Sequence, residues 1–307
     1  MENLAILDFG SNSTRLAIIK INADKTYTEV KRQKEITRLA RGMGKQKVKY
    51  LQPKAIEQTL KAVADFKVEY EKYPNVTVKA IATAAVRCAK NSAEFLVAVK
   101  QLTGVNVEVL SGQAEAYYDY LGVINTLPLT DCLLCDMGGG SFEIALVINK
   151  KLYASISIPY GAVSLSEKFN AHDKISAKDL SALQAFIRAK FNELLWLKQT
   201  KNLPLVLLGG ANRTVARCQL EKDNAPASEF MHGVTLTAKE FNAIYTSWLK
   251  MDLKQRKQQL GSEQDRADII IGGLTPVIEL ICYCQVPNII FSESGVREGI
   301  IYSILEK

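Results

Sequence analysis

Four Gly- and Ser-rich loops follow apolar, strand-like segments: Gly10-Ser11-Asn12-Ser13-Thr14, Gly138-Gly139-Gly140-Ser141, Gly209-Gly210-Ala211-Asn212-Arg213 and Ser292-Glu293-Ser294-Gly295. Glycine permits a backbone path on which several N–H groups converge, and such a concavity binds phosphate oxygens. One loop of this kind is usually just a turn; several together, two of them related by duplication, point to a phosphate-binding cleft. In both duplicated loops the preceding strand ends in an aspartate, Asp8 or Asp136. A carboxylate there repels bound phosphate unless a cation intervenes, and Mg²⁺, with Mn²⁺ as a substitute, suits that geometry. Ser141 and Glu143 lie two apart on the following strand and share a face, while Phe142 points into the packing. Asp136, Ser141 and Glu143, together with Asp8, are therefore candidate metal ligands. The plainer alternative is that the aspartates cap turns and Glu143 is an exposed strand residue.

Three further residues carry chemistry in principle. Ser111 opens a helix as a good N-cap, which puts Glu115 in or next to the first turn. The helix dipole favours an ionised carboxylate there, as a general base requires, but the same bias makes Glu common at helix starts for stability alone. The pattern by itself favours that structural role. Arg87, just past a strand, suits phosphate binding and is otherwise a surface arginine. His232 precedes Gly233 in a loop and is expected to be structural.

These residues need a scaffold, and the chain supplies it twice. Asp8-Phe-Gly-Ser-Asn-Ser-Thr-Arg-Leu-Ala17 aligns without gaps on Asp136-Met-Gly-Gly-Gly-Ser-Phe-Glu-Ile-Ala145, at an offset of 128 residues. Each copy reads as strand, tight turn, strand. Helical spacing after Pro53 (Ile56, Leu60, Val63, Phe66, Tyr70), a strand at Val76–Ala82, a helix near Asn91–Leu102 and a strand at Val105–Leu110 complete the first half. The second half reads as strands at Lys151–Ile158, Leu203–Leu208 and Asn288–Ser292. Its helices lie near Ala177–Leu197, Ala238–Lys250, Asp268–Cys284 and Val296–Leu305. The expectation is an α/β chain of two similar domains, residues 1–128 and 129–307, facing one another across a cleft, with the last helix free to pack back on the first domain.

Composition agrees with a folded chain of this size: 307 residues, 48% hydrophobic and 23% charged. The net charge of +7 is concentrated, because residues 20 to 54 hold eleven basic and three acidic residues. Such a field suggests an anionic ligand, although a solvated basic face is the commoner outcome. The six cysteines are expected as reduced thiols, since Cys132 and Cys135 stand three apart on a strand and so point to opposite faces. The segment Met1-Glu2-Asn3 lacks the basic residues of a leader's n-region, and the longest apolar stretch, Ile269 to Cys284, is interrupted by Glu279. A cytoplasmic protein with no membrane or nucleic-acid partner is expected.

The motifs resemble a known family. The duplicated loops and the Gly209-Gly210 loop look like the actin, Hsp70 and sugar-kinase superfamily, which implies two ribonuclease-H-like (actin-like ATPase) domains flanking an interdomain cleft. More specifically, the chain is similar to the exopolyphosphatase and guanosine pentaphosphate phosphohydrolase family. The segments that carry this are Asp8–Ser13, Arg38-Leu39 with Gly42, Thr83–Asn91, Ser111-Gly-Gln-Ala-Glu115-Ala116, Asp136–Glu143, His232-Gly233, Asp265–Asp268 and Ser292–Gly299. The resemblance implies that Glu115 is the catalytic base and that Asp136, Ser141 and Glu143 hold Mg²⁺. It assigns phosphate binding to the duplicated glycine loops and to Arg87. Phe142 stands where the family has Thr, which is expected to alter packing only. Cys88 replaces an acidic residue beside Arg87. The chain resembles the short form without the additional C-terminal helical domain.

The implied activity is release of terminal orthophosphate from inorganic polyphosphate or guanosine pentaphosphate, and a homodimer is compatible with it. The rivals are a superfamily kinase and a nucleotide-binding sensor or actin-like assembly protein without catalysis. The Ser111–Ala116 signature disfavours the first; the intact Glu115, Asp136 and Glu143 disfavour the second.

Overall fold

The computed structural model describes residues 2–222 and 231–306. Eleven strands form two sheets among these residues. In the first, β1 (Glu2–Phe9), β2 (Thr14–Ile21) and β3 (Tyr27–Glu35) make an antiparallel meander, and β4 (Val76–Ala82) and β5 (Val107–Val109) add in parallel on the other side of β1, giving the order β3-β2-β1-β4-β5. The second sheet repeats this with β6 (Cys132–Met137), β7 (Phe142–Ile148), β8 (Lys151–Ile158), β9 (Leu205–Leu208) and β11 (Asn288–Phe291), in the order β10-β11-β9-β6-β7-β8. The added β10 (Thr235–Thr237) pairs antiparallel with β11. A three-stranded meander extended by parallel strands is the ribonuclease-H-like order, and its repetition is the duplication seen in the sequence.

Helices cover the sheets: α1 (Pro53–Tyr70), α2 (Ala84–Cys88), α3 (Ser92–Thr103), α4 (Gly112–Ile124), α5 (Ala162–Lys168), α6 (Ala177–Asn192), α7 (Gly210–Lys222), α8 (Ala238–Leu249), α9 (Leu253–Leu260), α10 (Ile270–Cys284) and α11 (Val296–Leu305). The strongly periodic helices fall where the apolar spacing places them. The short α2 and α5 do not announce themselves, because each begins on a loop of small residues and has too few turns for a periodic signal; α7, 13 residues long, opens inside the Gly209-Gly210 loop and is not expected from the sequence either. Arg87, just past β4, lies on α2. The stretch from Ala177 to Leu197 divides, with α6 ending at Asn192 and a 3₁₀ turn covering Leu195–Gln199.

The strand alternation is visible in the cores. Cys135 faces the cluster built around α10, whereas Cys132 faces the opposite cluster with Val123 and Leu134. All six cysteines are free. Helix α10 is buried along most of its length, and no single helix among the described residues is long and apolar enough to cross a membrane.

Helix α4 joins the two halves. Its Ala114 and Tyr118 pack on the cluster of Leu4, Ile6, Ile19 and Ile81 from the first sheet, and its Val123 enters the cluster under the second. Helix α11 lies against α4 and sends Ile300 and Ile301 into that first-sheet cluster. The last helix of the chain thus rests on the first sheet.

Since Ile300 is fully buried in this small satellite core, Ile300→Ala should destabilise the protein by about 2–5 kcal/mol. Equilibrium denaturation measures this. A loss below ~1 kcal/mol would show that α11 does not depend on that contact.

Candidate active site

The two duplicated turns meet face to face. Gly10 N–H donates to the Ser13 carbonyl at 3.1 Å, and the matching Gly138 turn brings the Ser141 carbonyl to the equivalent position. The turns approach so closely that a side chain at Gly140 would put its Cβ 2.6 Å from Ser11 Oγ. Together with Gly209 and Gly210, the turns line a cleft of about 340 Å³ between the sheets. Gly10, Ser11, Asn12, Ser13, Gly138, Gly139, Gly140 and Ser141 all border it. Gly209 is the most constrained of these glycines: its φ is +92°, and a Cβ there would fall 2.3 Å from the Met137 carbonyl and 2.6 Å from Asp136 Oδ1.

The duplication is symmetrical in backbone but not in charge. Asp8 is opposite Arg15 in the β1–β2 register, and Asp136 is opposite Glu143 in the β6–β7 register. In the first copy the pair is an ion pair, with Arg15 Nη1 3.7 Å from Asp8. In the second copy two carboxylates share one place. Asp119 of α4 makes a third, and one oxygen from each of Asp119, Asp136 and Glu143 lies within 4.8 Å of the others. Glu143 is oriented by two hydroxyls, which donate to the same Oε1: Ser141 at 2.8 Å and Ser157 of β8 at 2.7 Å. Burial pushes all three carboxyls above the ordinary range; neighbouring carboxylates add to the rise at Asp119 and Glu143, while Arg213 and Arg15 pull Asp136 back down. Three converging carboxylates, two of which, Asp119 and Asp136, carry oxygens that no donor satisfies, fit an oxygen-liganded divalent cation. Asp8 lies outside this cluster, with Arg15 as its counter-ion.

Glu115 stands at the start of α4, whose N-cap Ser111 accepts from Ala114 N–H at 3.1 Å. It lines the cleft yet is only 6% exposed. Burial pushes its pKa up to about 7, against the pull of the Arg87 guanidinium, with Asp136 and Asp8 adding to the rise. Arg87 donates to Glu115 and, at 2.7 Å, to the Leu110 carbonyl. Its guanidinium is thus turned onto the carboxylate, and a phosphate contact would require that pair to open.

The opposite wall is cationic, and sequence reasoning passed over most of it. Arg15 and Lys34 face each other directly across β2 and β3, a destabilising like-charge pair. Burial lowers the pKa of Lys34, and Arg15, Arg213 and Arg217 lower it further. Burial, with Arg15 second, takes Arg213 down to about 10. Such charges are placed for an anion. Of the basic segment 20–54, Arg32 and Lys34 reach the cleft, whereas Lys45 donates to Asn170 at 2.8 Å. The signal that could have found this wall was Arg15, placed one strand on from Asp8.

The remaining motifs tie the halves together. Arg38 donates to Asp268 at 2.6 Å and to the Asp265 carbonyl at 2.8 Å. Glu167 accepts from Gly42 and Gly44 N–H at 2.8 and 2.7 Å. His232 accepts from Glu293 N–H through Nδ1 and reaches the Thr126 carbonyl through Nε2, each at 3.2 Å, which requires the Nε2–H tautomer. It acts as a structural clamp.

Two ribonuclease-H-like sheets, paired glycine turns and a carboxylate cluster in one cleft define an α/β protein of the actin-like architecture. The sequence profile of the Ppx/GppA phosphatase family matches residues 17–307, and the chain belongs to that family. It is 30% identical to a bifunctional 3-dehydroquinate synthase/phosphatase of Fusobacterium nucleatum over 98% of its length, spanning 46% of that protein. It is 27% identical to a putative exopolyphosphatase of Haemophilus influenzae, covering 99% of this chain and 92% of that one. The crystal structure of the Ppx/GppA family member from Aquifex aeolicus superposes with a TM-score of 0.79 at 28% identity, covering 99% of this chain and 98% of that one.

Gly209→Ala should lower stability by about 1–3 kcal/mol, the usual cost of forcing a side chain into the left-handed region, and it should displace Asp136. Denaturant unfolding checks the first part. A variant as stable as the parent would contradict the crowding described here.

Proposed function

We propose that the protein is a divalent-metal-dependent phosphoanhydride hydrolase that releases terminal orthophosphate from inorganic polyphosphate or guanosine pentaphosphate. The observation that carries this reading is the position of Glu115, which borders the same small cleft as the two glycine turns, a carboxylate cluster and a cationic wall. The match to the phosphatase family supports it over a kinase or a non-catalytic sensor.

The backbone N–H groups of the Gly10–Ser13 and Gly138–Ser141 turns hold the terminal phosphate, and Gly209-Gly210 closes the floor beneath it. Arg15, Lys34 and Arg213 neutralise the phosphates behind it and keep the chain end fixed. Asp136 and Glu143, the latter oriented by Ser141 and Ser157, would hold Mg²⁺ or Mn²⁺. When bound, the cation neutralises phosphate charge and withdraws electrons from phosphorus. Glu115 accepts a proton from water as its oxygen attacks the terminal phosphorus. The bridging P–O bond breaks, and the leaving oxygen departs on the shortened chain. Arg87 positions the Glu115 carboxylate for this attack. A base must be ionised, and burial sets Glu115 close to neutrality. Activity should therefore rise as pH increases through about 7.

Glu115→Gln should lower kcat by ~10²–10⁴, the usual worth of a positioned base, and should abolish the rising limb of the pH profile near 7. Orthophosphate release on polyphosphate and guanosine pentaphosphate, measured side by side with Mg²⁺ and across pH, tests this and distinguishes the substrates. A variant with more than half the parental activity would remove Glu115 from the mechanism, and no release from either substrate would overturn the proposed activity.

A further inference from the structure

We propose that Asp119 is a third carboxylate ligand of the cation held by Asp136 and Glu143, so that the protein binds its divalent ion before substrate arrives. This rests on the metal-dependent reading above and adds a residue to it.

Asp119 lies four residues after Glu115 on α4, so both side chains leave the same face of the helix. It is 2% exposed, and neither of its carboxylate oxygens has a hydrogen-bond partner in acceptable geometry. Asp136 Oδ1, on the strand facing it, is also without a partner. A buried carboxylate without hydrogen bonds is costly, and it persists only where something else supplies the compensation. Within reach of Asp119 lie two further carboxylates, Asp136 and Glu143. Three acceptors aimed at one point repel one another and are reconciled by a cation.

The competing role is a cap for α11. Val296 N–H, at the start of that helix, lies close enough to Asp119 to pull its pKa down slightly. Glu298 accepts from the adjacent Gly295 N–H at 3.0 Å, however, and neither Asp119 oxygen meets Val296 N–H in hydrogen-bond geometry. Gly295 instead makes room, since a Cβ there would lie 3.1 Å from Asp119 Oδ1. The helix start favours an ionised Asp119 without neutralising it.

Ligand charge count sets divalent affinity at oxygen sites. Mg²⁺ usually takes one or two protein carboxylates and completes its shell with water and substrate phosphate. A third carboxylate makes retention without phosphate the expected behaviour. Oxygen donors alone suit Mg²⁺, Mn²⁺ and Ca²⁺ and disfavour softer ions.

The test is titration of Mn²⁺ into the substrate-free, metal-stripped chain, read by calorimetry and by the loss of the free Mn²⁺ electron-spin signal. The parent should bind one Mn²⁺. Asp119→Asn retains shape, and Asp119→Ala removes every ligand atom; both should weaken binding at least ~10-fold. In the absence of metal, their Tm should not fall below that of the parent, because a buried carboxyl without a hydrogen-bond partner has been removed. Parental affinity in Asp119→Ala, with weakened binding in Glu143→Gln, would overturn the role of Asp119 and leave the two-carboxylate site standing. Absence of Mn²⁺ binding by the parent without substrate would overturn the resident-cation proposal, whatever the activity assay gives. A Tm in both Asp119 variants well below the parent's would assign the residue to α11 instead.

Discussion

Mutual repulsion among buried carboxylates is the constraint around which the cleft is built. Asp119, Asp136 and Glu143 arrive from a helix and two paired strands, and their charges alone would drive the side chains apart. They are held together by the Glu143 hydroxyl partners, by the close passage of Gly209 over Asp136, and by α4 being wedged between the two sheets. The same wedging carries Glu115 to the cleft. A scaffold that tolerates this much unfavourable charge has to gain from it elsewhere, and on our account the gain is a cation site.

The duplicated unit shows how one backbone produces two chemistries. Both copies end a strand in aspartate, turn through small residues, and return a charged residue opposite the aspartate. Arginine in that returning position closes the first copy on itself as an ion pair, while glutamate leaves the second open to a cation. Around the first copy, Arg15, Lys34 and Arg213 repel one another across the floor of the cleft. The cleft is thereby polarised, with an anionic side under α4 and a cationic side under β2 and β3. A phosphate chain with its counter-cation has the complementary polarity.

Much of this was legible in the sequence. The offset between Asp8 and Asp136 exposed the duplication, and the alternation around Phe142 put Ser141 and Glu143 on one face, as found. Period-2 and period-3.6 patterns located most strands and long helices, including β4 and β8 with their ends. What was not legible depends on spatial neighbours that no local pattern encodes. Asp119 has an ordinary place in a helix until α11 and β6 close over it. Arg87 looks like a free arginine until α2 turns it onto Glu115. Asp8 resembles Asp136 until the strand register supplies Arg15. In each case the residue type was visible and its partner was not.

The central claim is that one divalent cation occupies the carboxylate cluster. Crystals of the protein grown with Mn²⁺ and measured at the manganese absorption edge test it most directly. The account predicts a single strong anomalous peak between Asp136 and Glu143, with the nearest carboxylate oxygens at about 2.0–2.2 Å, roughly as for other small divalent ions at oxygen sites. A cluster without a peak at saturating Mn²⁺, or a peak at Asp8 in its place, would contradict it.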